Sequence, residues 1–532
     1  MKRSSLVAIA IAACAHRPPP PPPAPADPPA SRPAYALAEI RADVESLLAA
    51  QADAYWKSWT SGAPLNLSAG DAPRQRLLAP EALALVKEAF AKASGDERRA
   101  LSHLAAFLVG EALSQATAGP AERRAEAEAQ ATFSWDGKQV PLRDLLSLLA
   151  GEPDAARRAA IEKAHAAAAA PIAPLAEAEA SAVAAAARKL GSLSALALAG
   201  ELRGEAPGTL ASLAESVLAA TEEPYRDLAD DLARRELSLS LPALRSRDWP
   251  RLLRLAHEAR AFPATRLVED GAAALAGLGL GPKALPGLAV DAEPRPGKSP
   301  RPLMLPLVVP GTVRVSAIPA GGHAEASAFL HELGAGAYYA GVKATAVEFR
   351  RLGPASGPET WGRLLAGLAS DPAWLAERAG LSNHALGREV RAALAERLHE
   401  VRLSAARLLA EVERADPSRA AGADARLLSR ALCRPVEVEE ARRWPLARDP
   451  LLRSAEALRA QLLAAQAEAF LAKRAGTAAW WRSKENGEWL AKVWAEGSRP
   501  TAEELSLAMG YAALDPSALA ATARARLQAA GQ

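Results

Sequence analysis

The chain has 532 residues, 50% of them hydrophobic and 23% charged, a globular balance in a chain long enough for more than one core. Its 64 basic and 61 acidic residues leave a formal net charge of +3, which removes the case for a nucleic-acid partner, since that would want a concentrated basic face with base-stacking aromatics. Two cysteines, Cys14 and Cys433, exclude a disulfide framework, and Cys433 is expected to pack as a small hydrophobe. Ala, Leu, Glu and Arg dominate while runs of Val and Ile are scarce, so the fold is predicted to be mainly α-helical.

Met1-Lys2-Arg3 is a short basic start, and Leu6 to Ala13 is an apolar run too short to span a bilayer as a helix. Ile11-Ala12-Ala13-Cys14 resembles a bacterial lipoprotein box, in which Cys14 becomes the lipidated first residue of the mature chain. Residues 1–13 are therefore expected to be a signal peptide. Residues 14–34 follow as a proline-rich tether, with Pro18 to Pro23 consecutive, favouring extended polyproline II. This places the protein in the bacterial cell envelope, held to a membrane through a lipid anchor.

From Ala36 to Trp59 apolar residues recur at helical spacing, and further helices are predicted over 80–92, 94–115 and 120–133. Asp136-Gly137 is a turn signal. Asp154 to Leu190 is a long alanine-rich helical stretch broken at Pro171 and Pro174, closed by Arg188-Lys189 and capped by Gly191. Helices continue to about Phe262, and the Gly- and Pro-rich stretch 271–302 marks a boundary between two halves. Leu303 to Ala317 is the one convincing β region, a hairpin turning at Pro310-Gly311. Its edge could pair with an extended peptide. Beyond residue 362 the chain reads as helical to the end. Around Arg388 to Arg402 the interleaved Glu389, Glu396 and Glu400 suggest a solvated, salt-bridged face. Trp480, Trp481 and Trp489 suggest core, and Ser370-Asp371-Pro372 a helix N-cap with proline at the first turn.

The stretch with chemical content runs from Gly321 to Trp361. His331-Glu332-Leu333-Gly334-Ala335 has the outline of an H-E-x-x-H helix. In that motif two histidines at i and i+4 share one helix face and one metal ion, and the glutamate serves as general base on the metal-bound water. Here Ala335 replaces the second histidine.

This segment resembles the H-E-[FL]-G-H signature of the oligopeptidase M3 family, the thimet oligopeptidase and oligoendopeptidase F group of zinc peptidases. The Trp135–Gly191 and Trp480–Leu527 regions agree with it loosely. The resemblance implies a large two-lobed helical clamshell with a small β hairpin or sheet beside the motif helix and a peptide channel. Residues 35–270 would form the N-terminal helical half and 271–532 the C-terminal half. It also implies zinc as cofactor, with His331 and Glu359 as metal ligands and Glu332 as catalytic base. Glu359 stands 28 residues after His331, close to the family spacing; matching Gly353-Pro354-Ala355 to the Ala-Pro-Ser segment of thimet-type members would instead put Leu352 at the ligand position.

Two departures bear on activity. Catalytic zinc normally takes three protein ligands and a water, and Ala335 offers none. His323 is a candidate substitute, although eight residues at about 100° each place it roughly 80° round the helix from His331. The His and Tyr donors that the family aims at its tetrahedral intermediate are also missing: no histidine follows His399, and Tyr511 is the only tyrosine after Tyr339. The expectation is a catalytically inactive or impaired lipoprotein that binds peptides or a protein partner. The alternative is an active zinc endopeptidase with altered ligation.

Overall fold

The computed structural model of the protein describes residues 35–531, so Cys14, the signal segment and the proline-rich tether lie outside it. The predicted helical character holds: helices carry most of the described chain, and the strands form two small sheets. Among the described residues no helix is long and apolar enough to cross a membrane.

The first helix, Leu37–Ser61, packs with Pro80–Lys92 and the long helix Gly95–Gln130 around Ile40, Val44, Leu47, Val86, Leu101 and Leu104. Val347 and Leu352, from far along the chain, complete this core. Gly95–Gln130 corrects the expected restart at Pro120, because the helix runs through that proline for 36 residues. Proline forfeits one backbone hydrogen bond, but good helix formers follow it and the helix lies against Ala173–Lys189, so packing outweighs the local penalty.

The expected helix to Phe133 also gives way to a hairpin. Strands β1 (Thr132–Trp135) and β2 (Lys138–Pro141) pair antiparallel, and both turn residues, Asp136 and Gly137, take positive φ (46° and 72°). That is the turn an Asp-Gly pair favours between twisted strands. The alanine-rich stretch divides as predicted into Ala155–Ala169 and Ala173–Lys189, joined by a short 3₁₀ turn at Pro171. Gly191, at φ 89°, follows the second helix, and the Ser192 amide closes back on the Ala187 carbonyl.

The largest core extends from Ala199 to Ala523 and is continuous across the 271–302 stretch, where Gly271 sits inside helix Leu267–Gly277. Helix Asn383–Arg414 runs through it, against Pro207–Ala220, Ala423–Leu432, Arg453–Ala475 and Ser517–Gly531. Its charged residues divide: Glu400 is exposed and pairs with Arg363 as expected of a salt-bridged face, whereas Glu389 and Arg402 are buried. Trp480 and Trp481 are core, as expected, and Asp371 caps Pro372–Arg378 by accepting from the Trp374 amide.

The predicted hairpin forms as β4 (Leu303–Val308) and β5 (Thr312–Ser316), joined by β3 (Leu288–Asp291) parallel to β5. The order β3-β5-β4 makes β4 an edge strand. Helix His323–Gly341, called the motif helix below, lies on this sheet. A Cβ added at Gly336 would come within 3.0–3.3 Å of Leu288, Val315 and Met304 side chains. The motif helix is thus clamped between the sheet and helix Ser356–Ala366.

Candidate functional site

The motif helix and helix Ser356–Ala366 approach closely because small residues face one another. A Cβ on Gly334 would lie 2.3 Å from the Trp361 carbonyl oxygen, and one on Gly362 would lie 2.8 Å from the His331 ring. Either side chain would push the helices apart. The close approach sets His331 Nε2 3.1 Å from Glu359 Oε2, and His331 Nδ1 lies 3.3 Å from Glu332 Oε1. Both ring nitrogens therefore face carboxylates. Glu332 is tied to the sheet, since its Oε2 accepts the Met304 amide of β4 at 2.6 Å. Leu352, the other register for a third ligand, is buried in the first core instead.

Burial alone would lower the pKa of His331, but its hydrogen bonds to Glu332 and Glu359 and their charges raise it to about 9. Burial would raise Glu359, yet His331 and Arg363 hold it below the usual carboxylate range. Arg363 Nε stands 3.8 Å from Glu359 and the same guanidinium pairs with Glu400 at 2.8 Å.

Two ligand atoms 3.1 Å apart could share one ion, but Ala335, one turn beyond His331, fills the next position with a buried methyl. His323 is not a substitute: it opens the motif helix and bonds elsewhere. Tyr511 donates to the Gln466 carbonyl, a structural bond. The residues of the His331 centre do not complete a catalytic zinc site.

The fold also assembles a second cluster that sequence spacing does not reveal. His257 follows helix Trp249–Ala256, and His323 is the first residue of the motif helix. Their rings stack at 4.2 Å, 17° from parallel. Both Nδ1 atoms reach Glu389 Oε1, at 3.0 and 2.9 Å, and the Nε2 atoms lie 3.2 and 3.7 Å from Glu396 Oε2. The other oxygen of Glu389 accepts the Glu258 amide at 2.7 Å. Despite burial, the two carboxylates raise His257 to about 9, and the two imidazoles hold Glu389 at about 2. No histidine lies at ligand spacing from His257 because its partner arrives through the fold. The available signal was the seven-residue step from Glu389 to Glu396, which returns both to one face of a helix whose neighbours are buried. His399, one turn on, belongs to a different arrangement, stacking on Trp249 and meeting the Tyr225 hydroxyl at 2.9 Å.

No protein-family model matches the chain, and no curated protein matches it.

Proposed function

We propose that this chain is a lipid-anchored envelope protein on a two-lobed M3-type zinc-peptidase scaffold, that its peptidase centre is disabled, and that it binds peptides or a protein partner without cleaving them. The observation that carries this reading is the His331–Glu332–Glu359 arrangement. Two would-be ligands and the would-be base converge from two tightly packed helices, while the buried methyl of Ala335 stands where the motif needs a second histidine. The peptide part of the reading rests on the resemblance of the His331–Ala335 segment to the M3 family, whose scaffold encloses a peptide channel. The lipid anchor rests on Cys14 and the segment before it.

Zinc content of the purified chain tests the disabled centre. Ala335→His is expected to add about one equivalent of zinc that disappears when His331→Ala is combined with it, while His331→Ala alone leaves the zinc content of the natural sequence unchanged. Stoichiometric zinc in the natural sequence that is lost on His331→Ala, together with peptide cleavage abolished by Glu332→Gln, would establish the active endopeptidase with altered ligation instead.

A further inference from the structure

The second cluster has the composition and layout of a metal site, and it shares no residue with the His331 centre. One nitrogen from each of His257 and His323 and one oxygen of Glu396 all lie within 4.8 Å of one another. We infer that His257, His323 and Glu396 form a binding site for a divalent first-row transition-metal ion of the zinc class, with Glu389 as the carboxylate that orients both imidazoles.

Three features carry the inference. The first is tautomer control. Glu389 Oε1 faces both Nδ1 atoms and is itself held by the Glu258 amide through its other oxygen. An imidazole whose Nδ1–H donates a hydrogen bond to Glu389 keeps its free lone pair on Nε2, and both Nε2 atoms face Glu396. A carboxylate behind a ligating histidine is the common supporting arrangement of protein metal sites. The second is charge. Two carboxylates face the two stacked rings in a largely buried place, and with both imidazoles ligating as neutral donors one divalent ion cancels the −2 of the carboxylates. The third is access. Glu396 is 36% exposed, whereas Glu389 is fully buried, so the ligand side is the one nearer solvent, from which a water would come as fourth ligand.

Two nitrogens and one carboxylate oxygen suit zinc and its first-row neighbours better than calcium or magnesium, which prefer all-oxygen shells. Coordination has one structural requirement. Near-parallel rings do not aim their in-plane lone pairs at a single point, so the two imidazoles must splay about their Cβ–Cγ bonds to meet one ion.

The test is a titration of the chelator-treated, purified full-length chain with Co²⁺, followed by visible absorption, and then displacement with Zn²⁺. The expected result is one equivalent of Co²⁺ with ligand-field bands that Zn²⁺ abolishes, unchanged in His331→Ala. Glu396→Gln and His257→Gln should each weaken Zn²⁺ binding by about 100-fold or more, and Glu389→Gln by about 10–100-fold with the bands retained. Circular dichroism checks that each variant folds. If His257→Gln does not fold, the partly exposed Glu396→Gln decides. Absence of bands in the natural sequence, or bands that survive Glu396→Gln undiminished, would overturn the inference. Bands lost in His331→Ala would place the metal at the other centre and overturn it as well.

Discussion

Gly334 is the residue on which the His331 centre turns. Its missing side chain lets the Trp361 carbonyl sit where a Cβ would otherwise be, and this brings Glu359 to His331. Gly334→Ala is therefore expected to cost about 1–3 kcal/mol by forcing the helices apart. Gly110→Ala, at an exposed helical position where an added Cβ meets nothing within 4 Å, should gain about 0.5–1 kcal/mol. Urea denaturation of the two variants checks both signs. The motif sequence already held Gly334, His331 and Glu332, and the chain spacing pointed to Glu359 over Leu352. The other cluster was illegible at this scale, because 132 residues separate His257 from Glu389 and 66 separate His323 from it. Spacing puts Glu389 and Glu396 on one helix face, but which histidines meet them is a property of packing.

Between elements, Arg402 acts as a clamp. Its buried guanidinium donates to the Leu218 carbonyl and Thr221 hydroxyl at the end of Pro207–Ala220, and to the Arg430 and Ala431 carbonyls at the end of Ala423–Leu432. These are carbonyl-rich helix ends, where a cation is favoured. Arg402→Met should cost about 3 kcal/mol or more, because several buried acceptors lose their donor at once. A melting curve monitored by circular dichroism measures it. Asp291, at the end of β3, accepts from Arg295 and Lys298, which hold its carboxyl at about 2. Since the folded value lies below the unfolded one of about 3.9, its stabilisation is complete above roughly pH 4 and lost as pH falls towards 2. The natural sequence should therefore lose stability over that window more steeply than Asp291→Asn, as read from urea midpoints against pH. Element by element, the breaks at Pro171 and Pro310-Gly311 could be read because turn chemistry is local. Pro120 misled because the contact that overrides it, with Ala173–Lys189, is far along the chain.

Across the whole molecule, the main core joins residues from both sides of the 271–302 stretch, and the motif helix is the piece that both chemical clusters share. His323 stands at its first residue and His331 two turns later. A helix rises about 1.5 Å per residue, so eight residues separate the two backbones by about 12 Å. The helix is thus a fixed ruler between two places that can bind ions once Ala335→His restores the second. Loaded with Cu²⁺ at both ends, that variant should show dipolar broadening in its electron paramagnetic resonance spectrum. The broadening should vanish with either His323→Gln or His331→Ala, because a ruler marked at one end measures nothing.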